Sequence, residues 1–244
     1  EVIVRPIRFT DRVPRVREFL SALGFSPRVS RAESWVTMVG AAGEVALHDA
    51  ATSGAGPGQT GMAFEVADAD ALAAQFAEAG FGDVEIYDEA YGRVLRVRGQ
   101  DEAELLLDER PTDLYGYQLD EPRPEHGIVS MPMLFGPPAG PLDQLLSAAG
   151  FTRLDEGDDE SWRAWSSAGG GLIALRPPGD ERPPGSVQLA FRTCEPLTEL
   201  ADRLIAGRYG DVTLSEEFGD ELTVTDPDGQ KVLVQEMGSR SSGQ

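Results

Sequence analysis

The chain opens on VIVRPIRF, an alternation of apolar and polar residues with the period of a half-buried strand. The period then changes: in TDRVPRVREFLSALG, Val13, Val16, Phe19, Leu20 and Leu23 recur at helical spacing, and the run stops at Gly24. Glycine is the natural residue there, because helices commonly end in a left-handed conformation that other side chains resist. SWVTMVG and EVALHDA follow as strands. After the loop TSGAGPGQT the pattern restarts with GMAFEVA, then a helix from about Asp68 whose Leu72 and Phe76 face inward and which stops at Gly80. VEIYDEA, RVLRVRG and AELLLDE read as further strands. The same order comes again: strand IVSMPMLF, helix PLDQLLSAAG between Pro141 and Gly150, strands SWRAWSS and GLIALRP. It comes a last time in VQLAFRT, a helix opened by Pro196 with Leu197, Leu200 and Leu204 on one stripe, and strands VTLSEEF, ELTVTDP and KVLVQEM. Four βαβββ units account for the whole pattern.

Particular residues recur as well. LSALGF at 20–25 returns as LSAAGF at 146–151, Ser34-Trp35 as Ser161-Trp162, Ala63-Phe64 as Ala190-Phe191, and Gly82-Asp83-Val84 as Gly210-Asp211-Val212. Glu44-Val45-Ala46-Leu47 likewise answers Leu172-Ile173-Ala174-Leu175. A constant offset over ordered matches is the signature of duplicated units. The expected division is a first domain over 1–112, a Pro-rich polar linker over 113–125, a second domain over 126–238 and a tail over 239–244.

Charge narrows the partners. Asp and Glu total 42 against 21 Lys and Arg, a formal charge of -21. Nucleic acids and anionic membranes are bound through cationic side chains, so neither is an expected partner. No run approaches the roughly 18–20 apolar residues of a membrane span, and the first residues show no secretory signal. Cys194 is the single cysteine, which excludes an intrachain disulfide and any thiolate-rich metal site. A soluble, cytoplasmic protein is the expectation.

A paired βαβββ unit of this size, with a helix closing on L-G-F, a second unit opening A-F-x-V, and Asp226-Pro227-Asp228-Gly229 before an apolar strand, resembles the vicinal oxygen chelate superfamily. That superfamily includes glyoxalase I, extradiol dioxygenases, fosfomycin-modifying enzymes and the bleomycin-resistance binding proteins. The resemblance implies an α+β fold of four βαβββ modules in two glyoxalase-like domains, each a curved eight-stranded mixed sheet around a cleft. It also implies where a metal would sit, since the enzymatic members hold a divalent ion through His, Gln or Glu on four cleft strands. The corresponding residues are Val4, Ala46, Gly61 and Leu106 in the first half and Ser130, Ala174, Gln188 and Leu233 in the second. Only Gln188 is a donor, whereas a mononuclear site needs three or four. Two histidines, His48 and His126, exclude a His-rich site. No metal and no other cofactor are therefore expected.

Residues two apart on a strand share a face, so the same parity carries Arg8, His48, Glu65 and Glu104 into the first cleft. In the second it brings Leu134, Arg176, Arg192 and Lys231 beside Gln188. The first cleft is expected to be mixed in charge and the second basic. Trp35, Trp162 and Trp165 offer large flat faces for a ligand. Trp35 and Trp162 occupy equivalent places and also read as structural anchors, whereas Trp165 answers Met38 and is the stronger candidate for a ligand contact.

His48 and Glu65 are the candidates for acid-base work. His126 falls in the linker and is expected to be solvated. Cys194 sits before a helix, beside Glu195, which opposes thiolate formation. Gly169-Gly170-Gly171 reads as a hairpin turn rather than a phosphate loop, there being no following helix with Lys-Ser/Thr. LDEGDDES at 154–161 lacks the spacing of a calcium loop and reads as a charged loop.

The expected function is metal-independent binding of a small aromatic or polar natural product, a sequestration of the antibiotic-resistance kind. The alternative is a metal-independent lyase or isomerase on the same fold, and a third reading is an interaction module. A small molecule is the expected partner, and pairing of two chains into a homodimer is left open.

Overall fold

The computed structural model describes residues 1–89, 92–101, 103–137, 140–154, 162–215 and 221–238. Of the acidic run at 154–161 only Leu154 is among them, and the tail 239–244 lies outside the described residues. Among the described residues no helix is long and apolar enough to cross a membrane.

Five helices form where the apolar spacing or local capping dictates. α1 (Val13–Ala22) carries a proline in its first turn and buries Val13, Val16, Phe19 and Leu20. α2 (Ala50–Ser53) is a single turn in which the Asp49 carboxylate accepts from the Ala51 N–H. α3 (Ala69–Glu78) is capped by the Asp68 side chain on Ala71 N–H and buries Ala69, Leu72 and Phe76. α4 (Pro141–Ala148) buries Leu145 and Leu146. In α5 (Leu197–Ala206) the buried stripe is Leu197, Leu200, Ala201 and Leu204.

The strands build two sheets of like design. Residues 2–10 form one extended stretch broken at Arg5-Pro6: Val2–Val4 pairs antiparallel with Phe64–Val66, and Ile7–Thr10 pairs with Thr60–Gly61. These two broken strands pass from one sheet segment into the other and make them continuous. Outward from Ile7–Thr10 lie Glu44–Asp49, which is parallel to it, then Trp35–Val39 and Ser26–Arg31. Outward from Phe64–Val66 lie Glu104–Glu109, also parallel, then Gly92–Arg98 and Asp83–Glu89. In the second half the broken strands are 129–135 and 187–193. One side continues through Leu172–Arg176, Arg163–Ser166 and Thr152–Leu154, the other through Lys231–Glu236, Glu221–Thr225 and Gly210–Ser215. Each half is thus a curved eight-stranded mixed sheet around a cleft, the architecture of a glyoxalase-like fold.

The helices cover one face of each sheet, and the halves pack helix face to helix face. α1 with Val36, Met38, Val45 and Leu47 shares one core with α5, Leu222, Val224, Val232 and Val234. α3 with Phe64, Leu95, Val97, Leu105 and Leu107 shares another with α4, Phe151, Ile173 and Leu175. Each large side chain buried there stabilises the fold by about 1.5–3 kcal/mol, and neither core is complete within one half. Polar links follow the same seam: Arg8 pairs with Asp226 at 3.0 Å, and the Thr10 hydroxyl donates to Asp228 at 2.7 Å. Arg203 Nε donates to the Ala22 carbonyl at 2.7 Å.

Three strands escape the hydrophobic pattern. Ser26–Arg31 contains Pro27 and a register shift between Pro27 and Val29, so its alternation is broken. Thr152–Leu154 is short and pairs only along one edge. Gln118–Leu119 lies within the expected linker and adds to Ser26–Arg31 through its backbone, which needs no apolar side chain.

Candidate functional site

The helix cores decide which residues face each cleft. Val45 and Leu47 point to the helices, so Glu44, Ala46 and His48 face the first cleft. Phe64 and Val66 do the same on their strand and leave Glu65 on the cleft side. Glu65 stands opposite Asp108 on the neighbouring strand. Arg5, at the break in the first strand, pairs with Asp108 and lies 3.8 Å from Glu65. Arg28 reaches Glu65 at 2.9 Å and Glu44 at 3.0 Å, and Arg110 closes on the other Glu65 oxygen. Three guanidiniums and three carboxylates therefore satisfy one another. Burial pushes the Glu65 carboxyl up, but Arg5, Arg28 and Arg110 outweigh it and hold its pKa below the ordinary value. For Glu44, burial and the nearby Glu65 outweigh Arg28, and its pKa is raised. Burial likewise raises Asp108 over the pull of Arg5.

Trp35 and His48 sit beside this network. Arg5 covers the Trp35 ring at 5.7 Å, and the indole N–H donates to Thr37 at 3.2 Å. His48 meets Trp35 and Phe9 edge-on, with centroids 5.3 and 5.9 Å apart, and its buried Nδ1 has no hydrogen-bond partner. A histidine held only by ring contacts lacks the orienting group of a general base. Glu65 is no freer, being the hub of the ion pairs. Glu104 lies at the rim, exposed, and pairs with Arg98 at 3.2 Å.

The second cleft differs in kind. Ile173, Leu175 and Phe191 enter the helix cores, so Ala174, Arg176, Ala190 and Arg192 face the cleft. Its interior is apolar and closed: Met131, Met133, Phe135, Ala174, Ala190 and Leu233 are all buried, with Trp162 and Leu172 packed against them. Arg192 lies over the Trp162 ring at 5.9 Å and Arg182 over Phe135 at 5.8 Å. A cavity of about 420 Å³ opens beside this cluster, which contributes Phe135 to its lining; Arg176, Arg182 and turn residues between the two arginines complete it. Glu221 is half-buried; burial raises its pKa, against Gln235 and the more distant charge of Arg176. Gln188 faces Met133 across the pair, and its amide donates to the Lys231 carbonyl at 3.0 Å, while Lys231 itself is exposed.

Five expected cleft residues lie elsewhere. Trp165 is 5 % exposed and belongs to the core shared by α3 and α4. It is three residues from Trp162, and an odd spacing on a strand reverses the face. Arg8 is buried on the helix side, where it joins the halves through Asp226. Val4 is also in a helix core, Ser130 is fully buried opposite the core residue Phe191, and Leu134 packs toward the helices. His126 is exposed, and its carbonyl accepts from Cys194 N–H and from the Thr193 hydroxyl. Cys194 is exposed. The sequence pattern did not single out Arg5, Arg28, Glu44, Asp108, Arg110, Arg182 or Glu221. Arg5 carried the one usable signal, since Pro6 marks the break at which the strand changes partner.

No family model matches the sequence and no curated protein is similar to it. Solved structures do share the fold. The chain is similar to the 2,3-dioxygenase LapB from Pseudomonas sp. KL28, at 14 % identity and a TM-score of 0.61, over 96 % of this chain and 90 % of that one. A catechol 2,3-dioxygenase gives 12 % identity and a TM-score of 0.60, over 99 % and 94 %. The Mn(II)-bound glyoxalase from Novosphingobium aromaticivorans gives 15 % and 0.56, over 96 % and 80 %. What these dioxygenases and this glyoxalase share with the chain is the fold.

A metal of the kind named in that last structure does not suit the residues present here. The second cleft floor is thioether, methyl and ring, and the first cleft's carboxylates are each engaged by a guanidinium. Among the described residues no group of three or more His, Cys, Asp or Glu is arranged to hold a metal ion.

Proposed function

We propose that this protein binds a small organic molecule in its second cleft without the help of a metal, in the manner of a sequestering protein. The observation that carries this reading is the contrast between the clefts. An apolar lining with a few polar groups is the usual composition of a small-molecule site, and the second cleft offers Phe135 with Arg176 and Arg182 around its cavity, beside the buried Met131, Met133, Ala174 and Leu233. The first is filled by its own ion pairs.

A second reading is a metal-independent lyase or isomerase. Glu221 favours it, because a half-buried carboxyl with a raised pKa inside a cleft is a candidate acid or base. The test is to incubate the purified protein with a natural-product extract, isolate the complex and identify what is retained. A compound recovered unchanged supports sequestration. One recovered with altered mass or chromatographic mobility, and only when Glu221 is intact, supports the enzyme. Retention of nothing overturns both.

A further inference from the structure

We infer that the ligand of the second cleft is a planar organic anion, an aromatic or conjugated carboxylate held by Arg176 and Arg182. This rests on the second cleft being the binding site and adds the class of molecule. In a chain with 42 acidic and 21 basic residues, a guanidinium away from water ordinarily finds a carboxylate. Arg5, Arg8, Arg28, Arg96, Arg163 and Arg203 each do so. Arg176 and Arg182 are half-buried, line one cavity, and among the described residues make no ion pair and no guanidinium hydrogen bond. The carboxylates nearest in the lining, Asp180 and Glu181, are exposed and do not close on them.

Arg176 feels the Glu221 carboxyl only at a distance; partial burial of a cation with no carboxylate in contact is unfavourable, and a carboxylate accepts two parallel N–H bonds from a guanidinium better than any neutral group does. Flatness follows from the walls. The Phe135 ring lines the cavity with Arg182 over it, and Trp162 packs on the buried cluster that holds Phe135; a flat conjugated group packs beside such a rigid pair with little loss of freedom. The first cleft supplies an internal comparison. There the same kind of sheet carries three arginines, and Glu44, Glu65 and Asp108 already occupy the positions that a ligand anion would take.

The experiment is calorimetric titration of the full chain with 2-naphthoate and with 2-naphthamide, which match in shape and differ in charge. The proteins compared are the unaltered chain, Arg176→Gln, Arg182→Gln, Trp162→Leu, and Arg98→Gln as a control outside the site, each with its unfolding midpoint checked. The expected result is naphthoate binding at least tenfold tighter than naphthamide, with that preference lost in Arg176→Gln and Arg182→Gln and kept in Arg98→Gln. Equal binding of the two probes, both weakened by Trp162→Leu, overturns the anion assignment and leaves the second cleft as the site. Naphthoate binding indifferent to both arginine changes also overturns it. If neither probe binds, the assignment falls together with the cleft reading beneath it.

Discussion

Glu65 carries more of the first half than any other single polar residue. It is 2 % exposed and faces three guanidiniums. Glu65→Gln leaves the buried Arg5 and the half-buried Arg28 short of a counter-charge; breaking a fully buried pair costs about 3–5 kcal/mol, and the partial exposure of Arg28 and Arg110 puts the expected loss toward the lower end. The pH dependence has a definite sign. The folded pKa of Glu65 lies below its ordinary 4.5, so its contribution is present above that value and is lost as pH falls through the depressed one. Urea unfolding at a series of pH values is expected to show the gap between unaltered chain and variant narrowing on acidification. Glu44 and Asp108 run the opposite way, because burial raises them: their share is complete below the ordinary carboxylate range and lost as pH rises through the raised values. Glu44→Gln is therefore expected to cost less than Glu65→Gln at neutral pH. Trp165 belongs to the same scale. Trp165→Ala should lower stability by about 3–5 kcal/mol through a core cavity while leaving ligand affinity unchanged, which paired denaturation and binding measurements check.

Among the elements, the Gly169–Gly171 turn does more than reverse the chain. It carries Arg163–Ser166 into Leu172–Arg176, and it also lies against Val2–Val4 of the other half, where the Val4 N–H donates to the Gly170 carbonyl at 3.0 Å. Gly171 has φ +93°, and a Cβ there would stand 2.6 Å from the Cβ of Val4. Gly171→Ala is expected to destabilise the protein by about 1–3 kcal/mol, as overpacking does. Gly82→Ala, at a position with open space around it, is expected to be nearly neutral. Thermal unfolding of the two variants distinguishes a glycine needed for contact between the halves from one that only links a helix to the next strand.

At the scale of the whole molecule, the two helix-bearing cores each draw their helices from both halves, α1 with α5 and α3 with α4. Separating the halves would expose the packed faces of all four, and Arg8 would leave Asp226, itself buried, without its cation. The full chain is expected to unfold in one cooperative transition. The segments 1–112 and 126–238 produced separately are expected to show none, and to bind a hydrophobic dye that the intact protein does not. Two independent transitions in the full chain would contradict a shared core.

The helices and the order of elements were legible in the sequence, because each depends on local periodicity: α1, α3, α4 and α5 keep their apolar stripes within one turn of where the spacing put them. Parity along an uninterrupted strand was legible too, and it placed Ala46 and His48 on the cleft side. It failed where a strand breaks. Arg5-Pro6 moves the first strand from one partner to another, so Arg5 rather than Val4 reaches the cleft. Pairing across distance was not legible at all. Nothing local in the neighbourhoods of Arg5, Arg28, Glu44, Glu65, Asp108 and Arg110 announces that they neutralise one another, or that Arg176 and Arg182 make no ion pair among the described residues. Charge pairing depends on which strands the sheet sets side by side, and that is decided only when the cores close.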